Sequence, residues 1–455
     1  MKFRYELLLV LVLCACGEEF LDVKRNARQV VPKTIVDYQA LLDEPNIMNS
    51  QPSVTLGIIG SDEYYLLNGR LSTLRSPYQR NGYIWADNVY EEQEDVFDWN
   101  YAYQRILYAN IALDVDKITP SAEETSAWNN VKGSALFHRA YNHYLLAQLF
   151  CNPYKEETAA TDAGIPLRLD YDVSESPGRG TLESTYMQII NDLKAAVNLL
   201  PATAAHAFRP CKASACVLLA RVYLQMDDYA QAGYYADLGL QTKSELIDFN
   251  TLDLEKRHTF QQDYGAGNPE ILYYWSTIAL SIVSSSRLNV DSNLLKLYAP
   301  DDLRLKAYFH VDTDGRTVFK GSYSGDNYYF NGLTTSELWL ARAECHIRTG
   351  EIELGMGDLN VLLRHRCDTE SFVPVSARDQ EDALQKVLHE RRKELYMRGI
   401  RWEDMRRLNK DARFATTLVR QIDGQRYELP PNDPKWVWPL PVTEVEFGGL
   451  RQNER

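Results

Sequence analysis

The sequence has no excess of positive charge. Its 455 residues include 49 Lys and Arg against 63 Asp and Glu, which gives a formal net charge of -14. A surface of that sign repels phosphate backbones, so the composition argues against a nucleic-acid partner. Hydrophobic residues make up 45% of the chain and charged residues 25%. These ordinary globular values exclude a disordered tail or a fibrous protein.

Long apolar runs are absent except for one at the N-terminus. It covers residues 7–13, follows two basic residues, and leads into small residues and Cys16. This pattern is typical of an export signal, and the run is shorter than the roughly 20 residues that span a bilayer. Residues 13–16 resemble a bacterial lipobox, which implies removal of residues 1–15 and lipidation of Cys16. Plain secretion is the alternative.

Cysteine is also sparse. Beyond the signal and the lipidation site, the cysteines are Cys151, Cys211, Cys216, Cys345 and Cys367. Their odd number leaves at least one free thiol unless two chains are joined. None has a His or Cys partner at a zinc-like spacing, so we expect no metal site.

Common catalytic motifs are missing as well. The sequence has no Gly-x-Ser-x-Gly, no His-Glu-x-x-His, no Walker loop and no dinucleotide-binding glycine motif. A glycosidase needs only two carboxylates, so this absence by itself leaves hydrolysis open. One cluster near the C-terminus mixes acids and bases: Glu390, Arg391, Glu394, Arg401, Trp402, Asp404 and Arg407. Two of its acids are four residues apart on one predicted helix, which favours structural ion pairs over chemistry. We expect no enzyme and no cofactor.

Most of the sequence shows helical periodicity. Apolar residues repeat at i, i+3 and i+4 in several segments. These segments are 100–115, 128–150, 181–200, 212–226, 228–240, 335–349, 352–366 and 379–397. The segments 44–99 and 250–334 lack sustained periodicity and are rich in Gly, Asn, Ser and Tyr, as functional loops on a rigid scaffold often are. The pattern predicts few strands.

A helical repeat is visible in the spacing of small residues. Ala232 and Ala236 follow Ala220 at offsets 12 and 16, and Gly355 follows Ala343 at the first of these offsets. This spacing resembles the 34-residue tetratricopeptide repeat, in which paired helices approach too closely for large side chains. Ordinary helix packing is the alternative for each copy. The predicted fold class is all-α, a tetratricopeptide-repeat scaffold with long loops.

An ordered series of sequence blocks runs along the chain. The blocks are Phe20-Leu21-Asp22 and residues 135–145, 164–167, 186–193, 219–224, 337–344, 358–366, 390–407 and 438–444. In this order they resemble the SusD/RagB family of outer-membrane lipoproteins. The chain departs from the usual family pattern at Cys151, where glycine is typical, and at Gly355, where alanine is. The two aperiodic segments carry no block that aligns, so the identity of the ligand does not follow from the resemblance.

The resemblance implies a single domain over 16–455 after the signal at 1–15. Its SusD-like N-terminal part would cover about 16–240 and its SusD/RagB C-terminal part about 250–455. Such a protein is anchored by lipid outside the outer membrane. It binds oligosaccharides without catalysis, delivers them to a SusC-like TonB-dependent transporter, and turns its repeat helices toward that partner. Peptide binding, as in the RagB branch, is the alternative.

Aromatic residues in the two aperiodic segments are the candidate ligand contacts. Carbohydrates are bound by flat aromatic faces flanked by polar side chains, and Tyr and Trp combine such a face with a polar group. The expected ligand-binding residues are Trp85, Tyr83, Tyr78, Asn81, Trp275, Tyr273, Tyr323 and Tyr328. If Trp85 binds ligand, its replacement by alanine should weaken binding without unfolding the protein.

Two alternatives apply to these residues. Some of the aromatics could pin the long loops to the scaffold instead of contacting ligand. An adaptor protein with no small ligand would bury their rings and leave no concave surface. The neighbouring Asp62, Glu63, Tyr64 and Tyr65 could line the same site, or could equally be a helix start or loop anchor.

Overall fold

The computed structural model describes residues 32–91, 94–172, 174, 177–277 and 280–455. The predicted export signal and the lipidation site at Cys16 lie outside these residues. Within them, no helix combines the length and the apolar character that crossing a membrane requires.

Helices form most of the regular structure. The described residues contain α1 (Ile35–Leu42), α2 (Pro45–Met48), α3 (Thr55–Gly60), α4 (Pro77–Tyr83), α5 (Phe97–Ala112), α6 (Thr125–Phe150), α7 (Leu182–Leu199), α8 (Lys212–Gln225), α9 (Tyr229–Thr242), α10 (Ser292–Leu295), α11 (Arg304–Tyr308), α12 (Thr335–Arg348), α13 (Ile352–Arg364), α14 (Gln380–Glu394), α15 (Arg401–Leu408) and α16 (Val442–Glu446). Each of the eight segments with helical periodicity overlaps one of the longer helices, with boundaries that differ by a few residues. The predicted helical class is confirmed.

The strands are short and pair two by two. They are β1 (Tyr64–Tyr65), β2 (Ile271–Tyr273), β3 (Ser276–Thr277), β4 (Asn289–Val290), β5 (Phe309–Val311), β6 (Thr317–Phe319), β7 (Tyr329–Phe330), β8 (Leu333–Thr334), β9 (Leu418–Ile422) and β10 (Gln425–Leu429). The antiparallel pairs are β1–β4, β2–β8, β3–β7, β5–β6 and β9–β10. Eight of the ten strands lie in the two aperiodic segments, so those segments fold as irregular backbone fastened by short ladders.

Capping side chains, proline and glycine mark where the scaffold helices begin and end. The Thr181 and Ser184 side chains form a capping box at the start of α7, and the helix ends just before Pro201. Helix α12 ends before Gly350, whose φ of +92° is rarely adopted by a residue that carries a side chain. These signals are local, which is why the sequence predicts the boundaries to within a few residues.

Small residues let the scaffold helices pack closely. Helix α8 packs on α9, α9 on α12, and α12 on α13. Ala220, Ala232 and Ala236 are buried in these contacts, as the predicted spacing requires. A Cβ on Gly355 would lie only 2.7 Å from the carbonyl oxygen of Ala343, which explains glycine at this position. The tetratricopeptide character of the helix pairs stays a prediction.

The two aperiodic segments fold against each other and onto the scaffold. The Asn49 side chain donates to the Tyr274 carbonyl at 2.8 Å, and the Trp275 indole donates to the Gln51 carbonyl at 3.1 Å. The Ile282 amide donates to the Gln79 side chain at 2.9 Å. Segments about 200 residues apart in the sequence therefore form one loop layer, which is the region expected to carry the ligand site.

Candidate functional site

The aromatics of the first segment surround a buried arginine. The Arg420 guanidinium lies 3.8 Å from the Tyr83 ring centroid and 4.4 Å from that of Trp85. The Trp85 indole donates to the Gly60 carbonyl at 3.1 Å, and only 1% of the residue's surface is exposed. Arg420 comes from β9, far along the chain, so this cation–π cluster ties the first segment to the C-terminal part.

Tyr78 and Asn81 also hold the first segment in place. The Tyr78 ring is buried and meets Phe97 edge to face at a centroid distance of 6.3 Å. Asn81 is half-buried, and its side chain donates to the Val89 carbonyl at 3.3 Å. Both contacts stay within the loop layer and its junction with α5.

Tyr273 and Trp275 pack on the scaffold. The Tyr273 hydroxyl donates to the Met48 carbonyl at 3.1 Å, and its ring meets Phe137 of α6 at 5.2 Å between centroids. The Trp275 ring lies edge to face on Tyr141 at 5.6 Å. Both residues are buried, so they anchor the second segment to α6.

Tyr323 belongs to a buried ion-pair network. Its hydroxyl donates to Glu270 at 2.7 Å, and the Arg398 guanidinium lies 4.4 Å from its ring centroid. Burial raises the pKa of the Tyr323 hydroxyl well above its usual value. The residue therefore remains a neutral hydrogen-bond donor inside the fold.

The expectation that these aromatics form an exposed platform needs correction. Trp85, Tyr83, Tyr78, Trp275, Tyr273 and Tyr323 are all buried, so none offers a ring face to solvent in this conformation. Their contacts fit the alternative that loop aromatics pin the segments to the scaffold. The sequence could not show this, because an aromatic outside a periodic helix carries no signal of which way it points. A ligand role for the eight residues stays a prediction, and only Asn81 and Tyr328 have solvent-exposed surface.

Three of the four neighbouring candidates are anchors too. Arg401 donates to the Asp62 carboxylate at 2.7 Å, and the buried Glu63 accepts the Met397 amide at 2.5 Å. The Tyr64 ring is buried, while Tyr65 is 40% exposed. The Asp62–Tyr65 stretch therefore faces mainly inward, as its alternative interpretation expected.

A group of aromatics that includes Tyr328 is exposed on the loop layer. Tyr264 is 58% exposed and Tyr328 is 42% exposed, and Phe208 lies half-buried beside Tyr264 with ring centroids 5.5 Å apart. The buried Tyr274 packs against Phe208 and Tyr264, with ring centroids 5.4 and 5.9 Å away. We call Phe208, Tyr264 and Tyr328 the loop tyrosine patch.

Side-chain hydrogen bonds hold the two turns that carry the patch. The Gln262 side chain donates to Asp326 at 3.0 Å, and Asp326 also accepts the Tyr328 amide at 2.7 Å. On the other turn, Asp263 accepts the amides of Gly265 and Gly267 at 2.9 and 2.8 Å. Both tyrosines therefore stand on turns that are ordered before any ligand arrives.

The backbone at Tyr264 is strained. Its φ is +55°, a region that a bulky side chain rarely adopts. Such strain persists only where the surroundings impose it, and it concentrates at functional sites. Sequence reasoning missed Tyr264, although its place before the glycines of residues 265–267 signals an exposed turn.

The Tyr274 hydroxyl keeps its proton beneath the patch. Burial raises its pKa to about 12, and the nearby Asp326 adds to the effect. A neutral phenol can both donate and accept a hydrogen bond. The patch thus combines two exposed rings with uncharged and acidic polar groups, which suits a hydroxyl-rich ligand.

The acid and base cluster near the C-terminus forms ion pairs, as predicted. Arg391 and Arg407 each donate to Asp404 at 2.8 Å. Arg304 contacts Glu394 at 3.2 Å. These groups are buried and neutralise one another, so their arrangement is structural.

One buried acid lacks such compensation. Burial raises the pKa of Glu403 to about 7, above its ordinary value of 4.5, although Arg221 opposes the shift. One carboxylate oxygen accepts the Tyr144 hydroxyl at 3.0 Å, and the other has no partner among the described residues. The folded state therefore takes up a proton more readily than the unfolded chain.

The sign of this shift predicts a pH effect on stability. Because the folded pKa is raised, the contribution of Glu403 to stability falls as the pH rises from about 4.5 to 7. Glu403→Gln should raise the free energy of unfolding by about 1–3 kcal/mol at pH 8 and change it little at pH 4.5. Denaturant unfolding of both proteins at the two pH values measures the effect. An equal change at both would contradict it.

No metal centre emerges from the described residues. They contain no group of three or more His, Cys, Asp or Glu side chains that could hold an ion. The cysteines Cys151, Cys211, Cys216, Cys345 and Cys367 are free and buried. Burial raises the pKa of Cys151 to about 11, which keeps its thiol protonated and unreactive.

Comparisons with known protein families identify relatives of this chain. A family model described as starch-binding and associating with the outer membrane matches residues 19–224, and the SusD family model matches residues 306–454. No curated protein matches the chain.

Several solved structures share the fold. A SusD superfamily protein from Bacteroides thetaiotaomicron is 22% identical with a TM-score of 0.72, over 93% of this chain and 100% of that one. One from Bacteroides vulgatus is 20% identical with a TM-score of 0.72, over 93% and 99% of the two chains. A laminarin-binding SusD-like protein is 16% identical with a TM-score of 0.64, over 91% and 97%. The two family models together cover most of the sequence, and they show that this chain belongs to the SusD/RagB family.

Proposed function

We propose that this protein is a cell-surface lipoprotein, anchored through Cys16, that binds extracellular oligosaccharides without catalysis and delivers them to a SusC-like TonB-dependent transporter. The observation that carries the proposal is the loop tyrosine patch. It is an exposed group of aromatic rings with polar neighbours, on the loop layer of a chain that belongs to a nutrient-binding family.

The chemistry of the patch fits a sugar. Tyr264 and Tyr328 are both exposed, and a tyrosine offers apolar ring surface to the C–H side of a pyranose ring and a hydroxyl to its oxygens. Because such a surface is shallow and buries little area, we expect micromolar affinity, roughly -8 kcal/mol or weaker. A relay protein must also release what it carries.

The relatives support the choice of ligand. One of the two matching family models is described as starch-binding, and one structural neighbour is named as a laminarin binder. The described ion pairs favour a role without catalysis, because Asp404 and Glu394 of the C-terminal cluster are held in salt bridges by buried arginines.

The partner in this proposal comes from the family resemblance, which turns the scaffold helices toward the transporter. Those helices carry some apolar side chains at the surface, since Tyr234 of α9 is 59% exposed and Leu354 of α13 is 56% exposed.

The proposal is tested by replacing one exposed ring. Tyr264→Ala should weaken binding of the recognised oligosaccharide at least tenfold, which corresponds to about 1.4 kcal/mol. Calorimetry of the purified chain against starch, laminarin and xylan oligosaccharides, with a tryptic peptide mixture as a separate arm, measures it. Tyr171→Ala is the matched control, because Tyr171 is a similarly exposed tyrosine in another loop.

The outcomes separate the two ligand classes. Binding to one glycan that Tyr264→Ala weakens and Tyr171→Ala preserves would support the proposal. Binding to peptides alone would move the protein to the RagB-like alternative. Glycan binding that survives Tyr264→Ala at full strength would remove the patch from the site.

A further inference from the structure

A polar cavity is lined by residues that are all separate from the loop tyrosine patch. Its volume is about 530 Å³, within the range of small-molecule sites. The loop after α6, the end of α15 and the C-terminal segment enclose it. We call it the C-terminal cleft; its lining includes Lys155, Asp162, Arg406, Asn409, Asp433 and Trp436.

Two buried donors in the cleft lack acceptors. Arg406 is 1% exposed and Asn409 is 6% exposed, and both line the cavity. The Arg406 Nε and the Asn409 Nδ2 have no hydrogen-bond partner among the described residues. A buried donor left without an acceptor costs about 1–3 kcal/mol, so a ligand oxygen that reached either donor from the cleft would recover that energy.

The remaining atoms of these side chains are fully engaged. The two terminal nitrogens of Arg406 donate to the carbonyls of Gln148 and Cys151, and the Asn409 oxygen accepts the Thr416 amide at 3.2 Å. Neither side chain can therefore turn away to satisfy its free donor. The unpartnered N–H groups are held where they are.

Charge in the cleft is mixed. Its lining carries positive charge from Lys155, Arg179, Arg406 and Arg451 and negative charge from Asp162, Asp433 and Glu454. An anion would meet three carboxylates and a cation four basic groups, so neither is favoured. A neutral molecule whose hydroxyls both donate and accept matches such a lining. Trp436 also lines the cleft, although only 2% of it is exposed and its ring packs on Trp402 at 4.5 Å between centroids.

The cleft is also rigid. The Arg179 guanidinium donates to the carbonyls of Gly164 at 2.8 Å and Phe150 at 2.9 Å, and to the Asn453 side chain at 2.7 Å. Asn453 in turn donates to the Trp438 carbonyl at 2.7 Å. These bonds join the C-terminal segment to the end of α6, so binding would require little ordering.

We propose that the C-terminal cleft is a second binding site, for a neutral mono- or disaccharide unit. The inference takes its ligand class from the proposed function, but its residues are separate from the patch. Tyr273, which precedes Tyr274 in the chain, packs on Tyr141 of α6, whereas the cleft begins after Phe150. Phe150 lies nine positions beyond Tyr141, about 14 Å along the helix. A longer glycan could thus be held at two points.

Blocking the cleft tests the inference. Thr161 is exposed at the cleft wall, so Thr161→Trp should fill the cavity without disturbing the core. Maltose, cellobiose, laminaribiose and xylobiose are titrated into the full chain by calorimetry. We expect Thr161→Trp to weaken one class of sites at least tenfold, and Lys155→Ala to weaken the same class to a smaller extent. Thr203→Trp, the same change at another exposed position, should have no effect.

The results distinguish the two sites. Loss of one site with Thr161→Trp and of the other with Tyr264→Ala would support both proposals. If Tyr264→Ala removes all binding and Thr161→Trp none, the cleft inference is overturned and the proposed function stands. If only Thr161→Trp removes binding, the cleft is the site and the patch is not. If no disaccharide binds the unaltered chain, the cleft inference is overturned, and the oligosaccharide and peptide arms of the patch experiment decide the proposed function.

Discussion

Arg366→Ala is expected to lower the free energy of unfolding by about 3–5 kcal/mol. Arg366 is fully buried at the end of the α13 region, and its guanidinium contacts Glu270 at 2.6 Å and Glu394 at 2.9 Å. The group also lies 4.3 Å from the Phe249 ring centroid. Removing it leaves Glu270 without its cation in a site closed to water.

The destabilisation caused by Arg366→Ala should depend on pH. Burial opposes ionisation of Glu394, but Arg366 and Arg304 outweigh it and lower its pKa. A carboxyl with a lowered folded pKa adds stability above its unfolded pKa and loses it as the pH falls. In the variant, protonation of the buried carboxylates removes the negative charge that Arg366 no longer compensates. The difference in unfolding free energy between the variant and the unaltered protein should therefore shrink as the pH falls.

Denaturant unfolding at pH 7 and pH 4.5 measures both effects. Arg378→Ala is the control, because the Arg378 side chain is 83% exposed and pairs with Asp382 at the surface at 3.5 Å. Its loss should change the unfolding free energy by less than about 1 kcal/mol. A loss below about 1 kcal/mol for Arg366→Ala would mean that the buried network does not hold the fold together.

Trp85→Ala is expected to destabilise the protein by about 3–5 kcal/mol instead of merely weakening ligand binding. The side chain is enclosed, its indole N–H bonds the Gly60 carbonyl, and its face lies against Arg420. Truncation leaves a cavity and an arginine that has lost one of its aromatic neighbours.

Thermal unfolding of Trp85→Ala beside Tyr264→Ala decides between the two roles. Tyr264 is exposed, so its truncation should change the unfolding free energy by no more than about 1 kcal/mol. If Trp85→Ala instead keeps full stability and loses glycan affinity, Trp85 reaches the ligand as its sequence context suggested, and the burial seen here describes another conformation.

The helices could be predicted from the sequence because their signals are local. The repeated apolar positions of residues 181–200 match α7, and the capping residues Thr181 and Ser184 mark its start. The ion-pair role of the C-terminal cluster was equally accessible, since Glu390 and Glu394 lie one turn apart on a helix. Such features depend on neighbours within about four residues.

The site could not be predicted in the same way. Tyr83 and Tyr264 are both tyrosines in aperiodic segments, yet one stacks under Arg420 and the other faces solvent. Their difference depends on residues more than 300 positions away in the first case and on a strained turn in the second. The residue type alone indicates neither the burial of Tyr83 nor the exposure of Tyr264.

The sequence by itself determined the helical class, the family, the acidic surface and the expectation of an exported lipoprotein, because each rests on composition, periodicity or short motifs. Tertiary structure alone decided which aromatics are core and which are surface, that Glu270 and Arg366 meet across almost a hundred residues, and that the chain end closes a polar cleft. The physical reason is that burial depends on what packs against a side chain, and for loops without periodicity those partners come from distant parts of the chain.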